Sequence, residues 1–271
     1  MMNKPIALIT GSTRGIGKAI AIKLASEGYT VIITGKTKET HDKLPGTLDS
    51  VVEEIRALGF DAESFQVDVR DDQQLESLFR FITEKYGYLD VLVNNASAIS
   101  LTQAEATSMK KFDLMLQVNG RATFACSKMS IPLLQHSKNP HILTMSPPLN
   151  LNPKWFKKHT AYTLSKYMMS LCVLGLSAEL KDKKIAVNAL WPKTIIATAA
   201  IEFNFPKEML QRARNPQIVA DAAWAILSQP SVQATGQFFI DQDVLEKQGV
   251  TDFSRYAVNP DAPLIPDLYL D

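Results

Sequence analysis

The stretch Ile6-Ala7-Leu8-Ile9-Thr10-Gly11-Ser12-Thr13-Arg14-Gly15-Ile16-Gly17-Lys18-Ala19-Ile20-Ala21-Ile22-Lys23-Leu24-Ala25 decides the fold. Its first four residues are a short apolar run ended by a turn, the pattern of a buried strand. From Lys18 onward apolar residues recur at helical spacing. The turn between them carries three glycines as G-x-x-x-G-x-G. In a doubly wound α/β fold, the turn after the first strand is where a dinucleotide binds. Gly11 lets the chain turn tightly, Gly15 lets the backbone approach a pyrophosphate, and Gly17 lets helix and strand pack closely. The helix beyond the turn offers free N–H groups and a positive dipole end to phosphate. Ser12, Thr13, Arg14 and Ile16 complete the candidate cofactor turn. The same three glycines would also serve a tight turn with no ligand. The turn lacks the Lys-Ser/Thr of a P-loop, which argues against nucleoside triphosphate hydrolysis.

Outward from this unit the alternation continues. Strand patterns fall at 31–33, 62–67, 91–93, 141–145, 185–190 and 237–240. Helical patterns fall at 48–58, 71–86, 108–135 and 161–181, with one or two helices in 206–229. The stretches 36–46 and 147–160 read as loops. Strands alternating with helices imply a parallel sheet covered on both faces. The fold expected is α/β, a Rossmann-type doubly wound seven-stranded parallel sheet in a single domain. Its core spans 5–241, and a C-terminal extension, 242–271, carries several prolines and little periodicity.

Composition narrows the function without naming it. The 271 residues hold 29 Lys+Arg against 28 Asp+Glu, a formal charge of +1, which gives no electrostatic case for nucleic acid. Two cysteines, Cys126 and Cys172, cannot form a disulfide framework, so a reducing compartment is expected. No apolar stretch reaches the roughly 18 residues needed to span a membrane. The amino terminus does not read as a signal peptide, nor Leu268-Tyr269-Leu270-Asp271 as a Ser-Lys-Leu address. A cytoplasmic protein is expected. His41, His136, His141 and His159 show no metal-ligand spacing, so no metal site is expected.

The second strand ends Thr34-Gly35-Lys36-Thr37. An acidic residue here would hold the ribose 2′-hydroxyl of NAD and repel a 2′-phosphate. Gly35 and Lys36 stand there instead, and Arg14 can converge on the same point. Two cations without a carboxylate favour NADP(H) over NAD.

Ala161-Tyr162-Thr163-Leu164-Ser165-Lys166 opens a helix, and residues four apart share a helix face. A phenol titrates near 10 and a neighbouring ammonium lowers that value. Tyr162 and Lys166 can therefore serve as a general acid toward a carbonyl. Ser146, just after a buried strand, can hydrogen-bond the same oxygen. Without its context, such a pair is only a half-buried tyrosine beside a solvated lysine.

Together these residues resemble the short-chain dehydrogenase/reductase family over positions 5–241. Thr10-Gly11-x-x-x-Gly15-Ile16-Gly17 is similar to its cofactor turn, and Asp68-Val69 to its adenine-contacting pair. Asn94-Asn95-Ala96-Ser97 resembles its Asn-Asn-Ala-Gly motif, with Ser97 in place of glycine. Asn119, Ser146, Tyr162 and Lys166 stand where the family has its catalytic tetrad. The resemblance implies that Tyr162 exchanges the proton and that Lys166 lowers its pKa and holds the nicotinamide ribose. It further implies that Ser146 orients the substrate oxygen and that Asn119 maintains a water-linked relay to Lys166. Pro192 and either Thr194 or Thr198 would border the nicotinamide. Lys193 departs from the usual glycine there.

The loop between Ser146 and Tyr162 is longer than common in the family and carries Leu149, Trp155 and Phe156. These either line a pocket for a hydrophobic substrate or anchor the loop on the core. His159 is expected to pack rather than react. The helix after Tyr162, with Met168, Met169, Leu171 and Leu174, is either core or the interface of a homodimer or homotetramer. The function implied is oxidation or reduction of a hydroxyl/carbonyl pair on a fatty, terpenoid or steroid-like molecule. A non-catalytic NADP(H) sensor or scaffold is the alternative, and double-bond reduction or dehydration a third.

Overall fold

The computed structural model describes residues 4–36, 46–199, 201 and 206–270. Seven strands form one all-parallel sheet: β1 (Ile6–Ile9), β2 (Thr30–Gly35), β3 (Ala62–Gln66), β4 (Val91–Asn94), β5 (His141–Thr144), β6 (Ala186–Trp191) and β7 (Phe238–Ile240). Their spatial order is β3-β2-β1-β4-β5-β6-β7. The order reverses between β1 and β4, and the crevice beyond the carboxyl ends of those strands is where such a sheet takes a ligand.

Both faces of the sheet are buried, so the strands read as unbroken apolar runs rather than alternating ones. Alternation reappears in which core each residue joins. Ala7, Ile9, Val31, Ile33, Val91 and Val93 face one core, and Ile6, Leu8, Ile32 and Leu92 face the other. Helices α1 (Gly15–Ser26) and α2 (Leu48–Ala57) cover the first face; α3 (Asp72–Lys85) covers the second. The capping box at Thr47 and Ser50 starts α2, and the Asp71 carboxylate starts α3 by accepting from the N–H groups of Gln73 and Gln74.

The helical pattern at 108–135 is built as α4 (Met109–Met115), a π-helical turn (Leu116–Arg121) and α5 (Ala122–Leu134). A π turn adds a residue to one helical repeat and re-aims the helix beyond it, a frequent device at functional sites. Hydrophobic spacing does not show it. The turn packs against α6 (Thr160–Glu179). The segment 206–229 holds two helices among its described residues, α7 (Lys207–Gln211) and α8 (Gln217–Leu227). Most of the loop expected at 36–46, with His41, lies outside the described residues.

The C-terminal extension holds more structure than its sequence pattern suggests. It includes α9 (Asp241–Lys247) and then runs back over the carboxyl end of the sheet. The Ile195 N–H donates to the Ile265 carbonyl (3.0 Å) and the Asp267 N–H to the Lys193 carbonyl (3.1 Å). Tyr269 is buried in an aromatic cluster with Trp155, His159, Tyr167 and Trp191. No described helix is long and apolar enough to cross a membrane.

Candidate active site

The glycine turn closes over the ends of β1 and β4. The Thr10 hydroxyl accepts from the N–H groups of Asn95 and Ala96 (both 3.0 Å), and the Asn95 amide donates to the carbonyls of Thr10 and Gly11 (both 2.9 Å). This fixes why Gly17 is glycine. A Cβ there would stand 2.4 Å from Asn95 Nδ2 and 2.7 Å from the Gly11 carbonyl. Gly11 (φ +63°) and Gly15 (φ +55°) hold the left-handed conformation that favours glycine. Ser12 differs from expectation. It is fully buried, donating to the Ile9 carbonyl (2.8 Å) and accepting from the Thr34 N–H (2.9 Å), so it braces the turn instead of facing a ligand.

A cavity of about 550 Å³ opens above this turn and runs to α6. Gly11, Thr13, Arg14, Gly15 and Ile16 form its first wall, with Lys36 beside them. Asp68, Val69, Asn95, Ala96 and Ser97 line the next stretch. Tyr162, Lys166 and Pro192 stand at the far end, and Thr198 lies against the glycine turn. The sequence leaves Thr194 and Thr198 open. Thr198 lines the cavity, its Cγ2 3.2 Å from where a Gly15 Cβ would be, whereas Thr194 is buried beside it.

Arg14 and Lys36 both line the cavity near the end of β2. No acidic side chain terminates β2, and a Cβ on Gly35 would lie 2.9 Å from Thr13 Cγ2, so the turn itself disfavours any side chain there. Arg14 is half-buried and its Nη1 is buried without a hydrogen-bond partner among the described residues. Burial lowers its pKa, yet a guanidinium stays charged. Asp68 is bound by Arg70 (2.5 Å), which holds its carboxyl below the usual range.

At the other end, Tyr162 and Lys166 are buried one helical turn apart. The Lys166 ammonium donates to the Met145 carbonyl (2.7 Å) and lies over the Trp191 ring, 5.1 Å from its centre. Burial lowers its pKa to about 7. Tyr162 moves against the expectation of a lowered phenol. Burial, with lesser contributions from Tyr269 and Asp267, pushes it well above 10. The physical reason is that desolvation penalises both charged forms at once, and the ammonium that would favour a phenolate is itself driven toward neutrality.

The Ser146 hydroxyl is fully buried, has no hydrogen-bond partner among the described residues, and does not line the cavity, whereas Met145 before it does. Asn119 sits in the π turn with its side chain fully engaged. It accepts from the Ala98 N–H (2.7 Å) and donates to the Ala98 carbonyl (3.0 Å) and Ser165 Oγ (2.8 Å). It thus ties the loop after β4 to α6, and no hydrogen bond joins it directly to Lys166 among the described residues.

Leu149, Trp155 and Phe156 do not line the cavity; they pack against the cluster around Tyr162, Tyr167 and Tyr269. The anchoring alternative is the one the structure takes, because the tail's Tyr269 supplies a partner surface the sequence does not reveal. His159 packs there too, its Nδ1 3.1 Å from Thr163 Oγ1. Residues not anticipated line the catalytic end instead: Trp191, Ile265, Asp267 and Leu268.

Arg14 Nη1, buried without a partner among the described residues, and the glycine cradle beside it fit the phosphate end of a nicotinamide dinucleotide. The fold and this cavity are those of a Rossmann-type, dinucleotide-binding class of protein. The family described as short chain dehydrogenase matches residues 5–208, and the chain belongs to it.

The chain is further similar to hydroxysteroid dehydrogenase-like protein 2 of several vertebrates. The Danio rerio protein of that name is 55% identical over 263 residues, covering 97% of this chain and 63% of the relative. This chain therefore spans somewhat under two thirds of the length of the curated relatives it matches. A short chain dehydrogenase structure from Mycobacterium thermoresistibile is 42% identical, with a TM-score of 0.93 over 98% of this chain and 95% of that one. A 7α-hydroxysteroid dehydrogenase complexed with NADH and 7-oxo glycochenodeoxycholic acid is 27% identical, with a TM-score of 0.75 over 87% and 92%.

Proposed function

We propose that this chain is an NADP(H)-dependent oxidoreductase acting on a hydroxyl/carbonyl carbon of a hydrophobic small molecule, with Tyr162 as its general acid and base. One observation carries the reading: a single cavity joins the cationic glycine turn to the buried Tyr162–Lys166 pair. The relatives do not decide the cofactor, since a neighbour in the family holds NADH. The choice of NADP(H) rests on Arg14 and Lys36 and on the absence of a carboxylate at the end of β2.

Arg14 and Lys36 would hold the 2′-phosphate, and Gly11 and Gly15 would bring backbone to the pyrophosphate. When bound, the cofactor supplies or takes the hydride. Tyr162, protonated at neutral pH, donates its proton to the carbonyl oxygen and takes one back in the reverse direction. The Ser146 hydroxyl, buried without a partner among the described residues, would donate to the same oxygen once turned into the cavity. Lys166 stabilises the phenolate that Tyr162 becomes. Ile99, Leu101, Trp191 and Leu268 give the catalytic end an apolar lining, which suits a fatty, terpenoid or steroid-like carbonyl.

The test is NADPH consumption across a panel of such carbonyls, with Tyr162→Phe as control. Turnover by the wild type and not by the variant supports the reading. No turnover across the panel, with NADPH bound normally, would overturn it and leave a sensor or scaffold.

A further inference from the structure

The C-terminal strap does more than cover the sheet. Between Ile265 and Tyr269 it is held on both sides. The Trp191 indole N–H donates to the Leu268 carbonyl (2.9 Å), and Tyr269 OH lies 3.2 Å from Thr163 Oγ1 on α6. Arg212 Nε donates to the Pro263 carbonyl (2.8 Å). This anchoring delivers Asp267 into the wall of the cavity that Tyr162 and Lys166 also line. One carboxylate oxygen, Oδ1, accepts from the Leu268 N–H (2.7 Å). Oδ2 has no hydrogen-bond partner among the described residues.

Lys166 meets only neutral partners by direct contact: the Met145 carbonyl, Met169 Sδ and the Trp191 ring. Asp267 is the one carboxylate acting on it among the described residues. Of the other charged or titratable neighbours, Asp241 acts on Asp267 itself and raises its pKa, and none is a second carboxylate acting on Lys166 among the described residues. Lys193 pairs with Asp243 (2.9 Å). Asp241 accepts from the Lys193 and Gln242 N–H groups on the far side of that turn (2.8 and 2.6 Å). Tyr269 is bound to Thr163, and His159 stacks edge-on to Tyr162.

We infer that Asp267 is a positioning residue of the proton-transfer site, the counter-ion that favours the ammonium form of Lys166 and the phenol form of Tyr162. The inference rests on reading Tyr162 and Lys166 as that site. A buried ammonium without a counter-ion sheds its proton, and a lysine that has shed it cannot stabilise a phenolate. Burial also pushes Asp267 up, to about 7, so the two groups titrate as a pair. The anion acts on Tyr162 in the same sense, disfavouring loss of its proton.

The test is Asp267→Asn, which keeps the Oδ1 acceptor that anchors the strap and removes only the charge. Lys166 is followed by pH titration of selectively 15N-lysine-labelled protein, with and without NADPH. Its midpoint is expected to fall by about one pH unit in the variant, the scale of a nearby opposite charge. Asp267→Glu should restore it. In turnover, the alkaline limb of carbonyl reduction should move to lower pH by a similar amount while the Kd for NADPH is retained. A Lys166 midpoint unchanged in Asp267→Asn overturns the inference. Should that variant fail to fold, Lys166→Met provides the reciprocal measurement. The Asp267 carboxyl, followed by 13C, should then titrate at higher pH, and an unmoved midpoint overturns the pairing. The midpoints need no turnover. A silent carbonyl panel with a shifted midpoint therefore refutes the proposed function alone, and an active panel with an unmoved midpoint refutes the role of Asp267 alone.

Discussion

Replacing Arg14 by Gln should weaken NADPH far more than NADH, and the size of the gap can be worked from the site. Arg14 is half-buried, with Nη1 desolvated and unpartnered, so an incoming phosphate oxygen satisfies a donor that has already lost water. A hydrogen bond to a charged group contributes about 1.5–3 kcal/mol. That corresponds to roughly ten- to hundredfold in Kd. Lys36 is exposed, so its contribution is screened, about 0.2–1 kcal/mol or less than roughly fivefold. Fluorescence titration of both nucleotides against wild type, Arg14→Gln and Lys36→Gln should therefore rank the two cations. Raising the salt should erode the Lys36 effect more than the Arg14 effect. NADH, lacking the 2′-phosphate, should change by less than about threefold in either variant, since it forgoes this pair. Equal weakening of NADPH and NADH by Arg14→Gln, or a wild type that prefers NADH, would refute the assignment of Arg14 to the phosphate.

Tyr162→Phe should lose at least about 10²–10⁴-fold in turnover, the range for removing a general acid, while NADPH titrates as in the wild type; a rate within tenfold of wild type would count against it. Gly17→Ala forces a methyl to within 2.4 Å of Asn95 Nδ2 and 2.7 Å of a backbone carbonyl. It should cost about 1–3 kcal/mol and weaken NADPH binding, and a Tm and Kd both matching wild type would contradict the packing described. His141 is 3% exposed, and burial lowers its pKa from 6.5 to about 4. The unfolded chain binds the proton first, so stability is whole above pH 6.5 and falls as pH drops toward 4, by up to about 3 kcal/mol. Urea midpoints at pH 7.5 and 5 should diverge less in His141→Val; equal divergence would argue against the buried neutral ring.

Much of the fold is legible because the chain signals it locally. The strand β1, the glycine turn and α1 are consecutive, and their apolar spacing and glycines need no partner to be read. The candidate residues Ser146, Tyr162 and Lys166 are readable for the same reason, from a strand end and one helix face, whereas Asn119 is named only through the family resemblance. Other features are set by contacts between residues far apart in the chain. The role of Ser12 depends on Thr34, and the necessity of Gly17 on Asn95. The π turn at Asn119 leaves no trace in hydrophobic periodicity. Trp155 and Phe156 are ambiguous in the sequence because the surface they cover comes from Tyr269, more than a hundred residues later. The direction of the Tyr162 shift is hidden too, because pairing with Lys166 is visible in spacing, whereas the burial that outweighs it is not.

The two ends of the cavity differ in what supplies them. The match to the family ends at residue 208, and the turn, Ser146, Tyr162 and Lys166 all lie within it. Ile265, Asp267 and Leu268 lie beyond it, yet they wall the space beside Tyr162. On the proposed function, the chemistry would be carried by the shared part of the chain, and the shape and charge meeting a substrate would come partly from the strap. A substrate carrying an anion close to its carbonyl would face the Asp267 carboxylate across an apolar wall, where charge repulsion is poorly screened. One whose carbonyl is surrounded by hydrocarbon would not. Neutral carbonyls should therefore outperform matched α-keto acids in the panel, and Asp267→Asn should narrow the difference. A panel in which the acids win in the wild type would show that the strap does not face the substrate.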